Sequence, residues 1–532
     1  MADSSAISDD SFSTSVLIVG AGPVGLSLAI ELGIRGIDCI LVERRDGRLR
    51  VPRMSQVSGR NMEFCRRWGI ADKVRNAVWS SSHPLDFVYT NGLLGEELAR
   101  LKVPSYMQRG NLEYSPEGTC TCPQIYFDPI LAEKAQSLPR ADIRYNTQLE
   151  SFEQDETGVR ATVLDRENEK TYVISALYMV GCDGGSSKVR DALDIPLDGL
   201  GTIATSVNVF FRSPGLASMH DKGWARFYRM VDETGCWSEL IAIDGKEYWR
   251  LTVFHDDDPD IAGDSYLKRM MGKDFEFEII DTSPWERRDY VARTYGSEIG
   301  PGRVLIAGDS AHQCSPTGGL GMHTGVSEAY NLAWKFEAVF KGWGGTNLIP
   351  SYEIECRPIA RHFVDLSTDT YDALSALPAA DSLSAAVEAD QSLMRSLSIP
   401  DQIRAYMRYE NSPICVADGT SPPQGPDLLK PSARPGTRAP HCWIDGDKST
   451  LDLFGDGFVL LRLGAADTDV ASLEAAAIDR KVPLKIVDLD NEDAIRLFER
   501  KLVLVRPDAH VAWRDDALPD DSGALIDQVR GA

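Results

Sequence analysis

Short apolar runs, each stopped by glycine or an acid, organise this chain. Val16–Val19 is followed by Gly20, Gly22 and Gly25 in a G-x-G-x-x-G turn. The residues "LSLAIELGIRG" then keep helical spacing, and "DCILVE" is a second apolar run ending at Glu43. The order is strand, glycine turn, helix, strand, acid. A second run, Leu177–Val180, closes on Gly181-Cys182-Asp183-Gly184. A third, Val304–Ala307, closes on Gly308-Asp309. After it come Pro316 and "GGLGMHTG" (318–325), then apolar residues at Val326, Ala329, Leu332, Ala333, Phe336, Val339 and Phe340. That spacing predicts a long helix whose N-terminus is the glycine loop.

The period changes between the second and third runs. "WARFYRMV", "SELIAI" and "YWRLTVF" alternate as antiparallel strands do. This predicts a sheet inserted into the surrounding α/β fold, with Trp224, Arg226 and Tyr228 on one face. Residues 346–410 read as helical. The next thirty hold seven prolines, which neither a helix nor a central strand carries, and read as a linker. Beyond it, "DGFVLLRLG", "VPLKIVDLD" and "KLVLVRPDAHVAWR" are strands of a small α/β domain with a helix at 471–480. The expected division is a disordered tail (1–14), a nucleotide-binding domain in three parts (15–80, 110–196, 285–345), a substrate domain in two (81–109, 197–284), a helical segment (346–410), a linker (411–440) and a C-terminal domain (441–532).

Composition narrows the partners. With 80 acidic and 56 basic residues, the net charge of −24 argues against nucleic acid and against an anionic membrane surface. No apolar run reaches transmembrane length, and the polar, acidic start lacks the order of a signal peptide. The 10 cysteines have no zinc-finger spacing and read as reduced thiols, so a cytoplasmic setting without a bound metal is expected.

The residue types carry the chemistry. Gly20 permits the tight turn, Gly22 lets backbone approach a pyrophosphate, and Gly25 lets helix and strand pack closely. Pro23 and Val24 open the helix whose positive end receives the phosphates. Glu43 takes the hydroxyls of an adenosine ribose, which suits FAD or NAD and not NADP. Arg44 and Arg53 lie in the basic stretch that follows. Asp183 stands where ligands bind in an open α/β sheet, and a helix cap explains it equally well. The glycine loop at 318–325 offers backbone N–H groups to an anion, which suits the pyrimidine edge of a reduced flavin.

These motifs together resemble the group A flavin monooxygenases, the single-component aromatic hydroxylases typified by p-hydroxybenzoate hydroxylase and phenol hydroxylase. The resemblance covers about 320 residues and implies a Rossmann-like FAD-binding domain with an inserted antiparallel substrate sheet. Asp309 would hold the ribityl chain, Asp183-Gly184 would serve FAD and NAD(P)H, and Arg53 and Gln124 match positions on FAD. Pro316 matches the proline over the flavin face; Gly321 and Met322 match the loop at its N1, O2 and N3. The C-terminal domain is similar to the thioredoxin-like domain of the phenol hydroxylase branch, and with Cys442 alone it has no C-x-x-C chemistry. The implied reaction uses NAD(P)H and O2 to hydroxylate a phenolic ring through a C4a-hydroperoxyflavin, in a homodimer. Arg226 or Tyr228 would orient the substrate.

The chain departs from the family in places. His323 stands where Asn is usual and Glu328 where Asp is usual. Ser55 occupies the place where phenol hydroxylases carry an acid or His near the phenol. An imidazole at 323 either replaces Asn passively or titrates beside the reduced flavin. A flavin oxidase or reductase without oxygen insertion, and an FAD-containing protein that binds an aromatic ligand, are the alternative functions.

Overall fold

The computed structural model describes residues 7–108, 112–233, 235–254, 263–375, 388, 392, 407–423 and 430–532. Its first layer is a sheet whose strands Ala141–Arg144, Cys39–Val42, Ile7–Val19 and Lys170–Gly181 run parallel in that order, with Val304–Ile306 beside the last. Such a sheet is buried on both faces, and Val16, Leu17 and Ile18 have no exposed surface. The first strand begins at Ile7, so part of the expected disordered tail is strand. Its added length pairs along Lys170–Gly181.

The inserted sheet forms a roof. It contains Leu197–Arg212, Phe227–Asp232, Gly235–Ala242, Tyr248–Phe254 and Glu278–Ala292, and is extended by Phe87–Thr90 and Glu97–Leu101. The strand Glu278–Ala292 runs well past residue 284, where the substrate domain was expected to end. Strand alternation sorts the side chains. Trp249, Leu251 and Val253 pack on the outer face against Tyr266, Leu267 and Met270 of the helix Gly263–Met271. The inner face presents Phe210, Phe227, Ile241 and Tyr248, which meet Val51 and Ile125 of the nucleotide-binding unit.

The C-terminal unit is a four-stranded sheet in the order Leu484–Leu489, Phe458–Leu463, Leu502–Val505, Val511–Asp515. The first two strands are parallel and the rest antiparallel. It carries the expected helix Ala471–Asp479 and the helix expected near the chain's end, Ser522–Val529, and adds Glu492–Phe498. The proline-rich stretch is not a loose linker where it is described. Ile414, Ala433 and Ala439 are fully buried, Tyr409 N–H donates to Gly436, and Val416 N–H donates to Ala512. Prolines bar regular structure there, but they do not bar packing. No helix among the described residues is long and apolar enough to cross a membrane.

Candidate active site

The glycine turn is shaped for a nucleotide. Gly20 has φ +108°, and a Cβ there would lie 2.4 Å from the Cys182 carbonyl oxygen. A Cβ on Gly25 would lie 2.0 Å from the Gly20 oxygen, so this glycine lets the helix Pro23–Ile34 close on the turn. A Cβ on Gly22 would meet nothing within 4 Å. Gly22 therefore borders open space at a helix N-terminus without a side-chain cap, where a pyrophosphate fits. The adjoining cleft is lined by Gly20, Glu43, Arg44 and Asp183. Glu43 accepts from the backbone N–H groups of Ala21 (3.0 Å) and Arg45 (2.9 Å), keeping lone pairs for a diol.

Two expected contacts work through packing instead. Val24 is buried; a Cβ on Gly308 would meet its Cγ2 at 2.8 Å and one on Gly325 at 2.6 Å. Its side chain is therefore a wedge joining three flavin motifs and does not face a cofactor, although its backbone lies in the first helical turn. Asp183 is the helix cap: its carboxylate accepts from the Lys188 N–H (2.7 Å) and Val189 N–H (3.2 Å), and from the hydroxyls of Ser187 and Ser310. Through Ser310, which also accepts from Gly184 N–H at 3.1 Å, it fixes the Asp309 turn.

Asp309 opens onto the site yet is crowded by protein. That crowding raises its carboxyl above the usual range, against the pull of His312 and Arg53. A Cβ on Gly321 would lie 3.9 Å from the Asp309 Oδ1 atom, which brings the ribityl candidate to the start of the helix Gly321–Phe340. Glu328, which sequence reasoning noted only as a departure, braces this turn. It accepts from Gly308 N–H at 2.8 Å and from the Tyr295 hydroxyl at 3.1 Å, and lies 3.2 Å from His312 Nε2. Its charge raises His312 against the effect of burial. Gln124 accepts from Arg53 N–H at 3.3 Å and donates to Asp128 at 3.0 Å. Burial lifts Asp128 to about 7, a perturbed acid that no motif announced.

The loop before the helix Gly321–Phe340 uses its glycines in two ways. Gly318 and Gly319 have φ +78° and +61°, which few side chains tolerate, and Gly325 lets the helix touch the Gly308 turn. Pro316 is exposed at the loop's outer edge. The helix starts without a side-chain cap, so its positive end is available to a ligand. Met322 is half-buried and its sulfur accepts from Asn61 at 3.7 Å. The His323 ring is buried. Its Nδ1 lies 2.6 Å from the Gly319 carbonyl, and its Nε2 lies 3.1 Å from the Ser58 backbone nitrogen and 3.2 Å from the Gln56 carbonyl. The ring is thus a strut between the Gly319 loop and residues 56–58.

Tyr228 is not at the site. Its position in the strand Phe227–Asp232 turns the ring to the outer face, where it has no exposed surface and its hydroxyl donates to Gly223 at 2.6 Å. Trp224 likewise stacks on outer-face Trp249. Arg226 lies just before the strand and its carbonyl accepts from Ala242 N–H at 3.1 Å. Its guanidinium stands 5.1 Å from the Trp79 ring centre and 5.5 Å from that of Phe227. Arg250 and Arg287, both missed in the sequence, reach the seam between roof and nucleotide-binding unit. Arg250 donates to the Pro52 carbonyl at 3.1 Å, and Arg287 to the hydroxyls of Ser315 and Thr317 at 3.3 Å, on either side of Pro316.

Comparison with known proteins agrees with this geometry. An FAD-binding domain model matches residues 13–367, and an aromatic-ring hydroxylase C-terminal model matches 432–531. The chain is 30% identical to the tetracenomycin B2 monooxygenase-dioxygenase of Streptomyces olivaceus, over 97% of each chain. It is 36% identical to the rebeccamycin biosynthetic enzyme RebC, solved with reduced flavin and with bound 7-carboxy-K252c, at TM-score 0.89 over 98% of this chain and 100% of that one. It is 28% identical to aklavinone-11 hydroxylase, solved with FAD and aklavinone, at TM-score 0.82 over 98% and 99%.

Proposed function

Because this chain belongs to the FAD-dependent aromatic-ring hydroxylases, we propose that it couples NAD(P)H oxidation to insertion of one oxygen atom from O2 into a phenolic ring. The observation that carries the reading is the convergence of Asp309, Arg53 and the uncapped start of the helix Gly321–Phe340 beneath an apolar roof. Bound FAD supplies the chemistry of accepting hydride and activating O2.

The chain's share is placement. The turn from Gly20 to Gly25, with Glu43 and Arg44, holds the adenosine and pyrophosphate. Asp309, steadied by Glu328, takes the ribityl hydroxyls, with Arg53 and Gln124 beside it. The N–H groups of Gly321 and Met322 would hold the flavin's pyrimidine edge, where negative charge develops on reduction. Pro316 would border the flavin ring, and the apolar roof would keep bulk water from it. Ser55 offers no carboxylate or imidazole, so deprotonation of a phenol must use another group. Relatives are named for tetracenomycin, aklavinone, 2,4-dichlorophenol and phenol, which supports an aromatic substrate.

Anaerobic reduction of the holoenzyme by NADH and by NADPH, with and without a panel of one- to four-ring phenols, tests the reading. At least one phenol should accelerate flavin reduction. Absence of reduction by either nucleotide would favour an FAD-containing binding protein.

A further inference from the structure

Pro316 is exposed, yet the residues on both sides of it are held from beneath. Ser367 belongs to the helix Pro350–Ser375 and has no exposed surface. Its hydroxyl lies 2.7 Å from the Ser315 carbonyl and 3.0 Å from the Thr317 carbonyl. One proton is thus shared between the two carbonyls that flank the proline. Arg287 grips the same two residues by their hydroxyls, at 3.3 Å each, and those hydroxyls lie 2.8 Å apart. The Pro316 carbonyl accepts from Gly319 N–H at 3.0 Å, which closes the turn.

One stripe of that helix supplies the grip. Tyr371, a turn beyond Ser367, places its ring 4.9 Å from the Arg287 guanidinium. Phe363, a turn before it, packs with Ile359 on Leu320 at the end of the glycine run. Positions four apart share a helix face, so Ile359, Phe363, Ser367 and Tyr371 run together along the loop. A serine inside a helix ordinarily turns its hydroxyl back to the carbonyl four residues earlier. Thr370 does this, donating to the Leu366 carbonyl at 2.7 Å. Ser367 reaches across to the loop instead. Leu320, buried against Phe363, already anchors the far end of the loop by packing. The bonds from Ser367 and Arg287 fix what that packing leaves free, the placement of residues 315 and 317 and so of the proline between them.

We propose that Ser367 is a positioning residue for oxygen insertion: through the Ser315 and Thr317 carbonyls it keeps Pro316 in place beside the flavin, and Tyr371 supports it through Arg287. This rests on the aromatic hydroxylase reading. Coupled turnover consumes one NAD(P)H, one proton and one O2, and yields NAD(P)+, one hydroxylated ring and one water. Uncoupled turnover consumes the same three and yields NAD(P)+ and hydrogen peroxide, with the ring unchanged. A proline free to swing away opens the reacting face to water and loosens the alignment of the substrate with the oxygen, and both favour peroxide. The clamp therefore sets the ratio of peroxide to product. FAD affinity and the acceptance of hydride rest on other residues and are left as they are.

The test uses the holoenzyme, with whichever of the one- to four-ring phenols most accelerates flavin reduction. Ser367→Ala should raise the ratio of hydrogen peroxide to hydroxylated product about three- to tenfold, the factor that the free energy of one hydrogen bond sets. FAD affinity and the rate of flavin reduction should stay within about twofold of the wild type, since the substitution spares the groups that bind FAD and accept hydride. Quenching of the bound flavin's fluorescence by acrylamide, which reads access to its face without turnover, should rise. Tyr371→Leu should act in the same direction and, at a half-buried position, serves if the first variant fails to fold. Tyr371→Phe keeps a ring over the Arg287 cation and should behave as the wild type does. A wild-type ratio in folded Ser367→Ala, or in Tyr371→Leu where the first does not fold, would overturn the role. So would a raised ratio accompanied by slowed flavin reduction or lost FAD affinity, which marks general damage to the site. If the wild type hydroxylates none of the phenols, the hydroxylase reading itself falls, and the positioning role with it.

Discussion

The Nε2 atom of His323 lies 3.1 Å from the Ser58 backbone nitrogen. Ser58 caps the helix Gly59–Arg67 and its side chain accepts from Asn61 N–H, so the imidazole ties the flavin loop to a second rigid element. Removing the ring leaves buried backbone at Ser58 without its partner, at about 1–3 kcal/mol. His323→Ala should therefore weaken FAD binding about tenfold, measured by flavin fluorescence. His323→Asn should retain the pH profile of flavin reduction, since the ring acts as a strut; a changed profile would restore the titrating role.

Gly20 and Gly22 separate folding from binding. Alanine at 20 meets both a positive φ and the Cys182 carbonyl, and should cost about 3 kcal/mol of stability. Alanine at 22 meets nothing in the protein, so its melting temperature without FAD should stay at the wild-type value. Its methyl would instead occupy the space offered to the pyrophosphate, and FAD affinity should fall by about 100-fold or more.

A buried ion cluster fastens the C-terminal unit to the helix Gly321–Phe340. Arg506 donates to Glu355 at 3.0 Å and to Asp508 at 3.0 Å; Lys335 donates to Glu355 at 2.7 Å, and Trp334 to Asp508 at 3.2 Å. Lys335 and Trp334 belong to the helix Gly321–Phe340. Arg506→Met strands two buried carboxylates and should cost about 3–5 kcal/mol in denaturant titration. FAD should dissociate earlier in that titration than in the wild type's.

Asp128 gives the pH dependence a sign. Burial raises it to about 7, opposed by the Gln124 hydrogen bond and the Arg53 charge. The unfolded chain ionises this group near pH ~4, so its contribution to stability is complete below that pH and is lost as pH rises through 7. Asp128→Asn should match the wild type at pH 4 and exceed it at pH 8 by up to about 4 kcal/mol in thermal melts. A difference that instead grows toward low pH would show the carboxylate to be the favoured form.

Much of this was legible because local rules and tertiary packing agree at the nucleotide-binding motifs. Gly20, Gly22 and Gly25 owe their roles to turn geometry, and Glu43 to its place at a strand end; both are visible in a linear string. Tyr228 was misplaced because alternation assigns faces only relative to a strand's start, and Arg226 lies one residue outside it. Arg250 sits between Trp249 and Leu251, where an arginine reads as a solvated position until the second layer is placed over it. Glu328 bonds through the fold to Gly308 and Tyr295, and Asp128 owes its raised carboxyl to burial, neither of which spacing reveals. The proline-rich strap was misread because composition reports backbone regularity and not burial.

The central claim is oxygen insertion. Turnover with NAD(P)H under ¹⁸O₂, using a phenol that accelerates flavin reduction, measures it directly. The account predicts one ¹⁸O atom in each hydroxylated product molecule. Steady consumption of NAD(P)H with all the label in hydrogen peroxide or water, and none in the product, would contradict it.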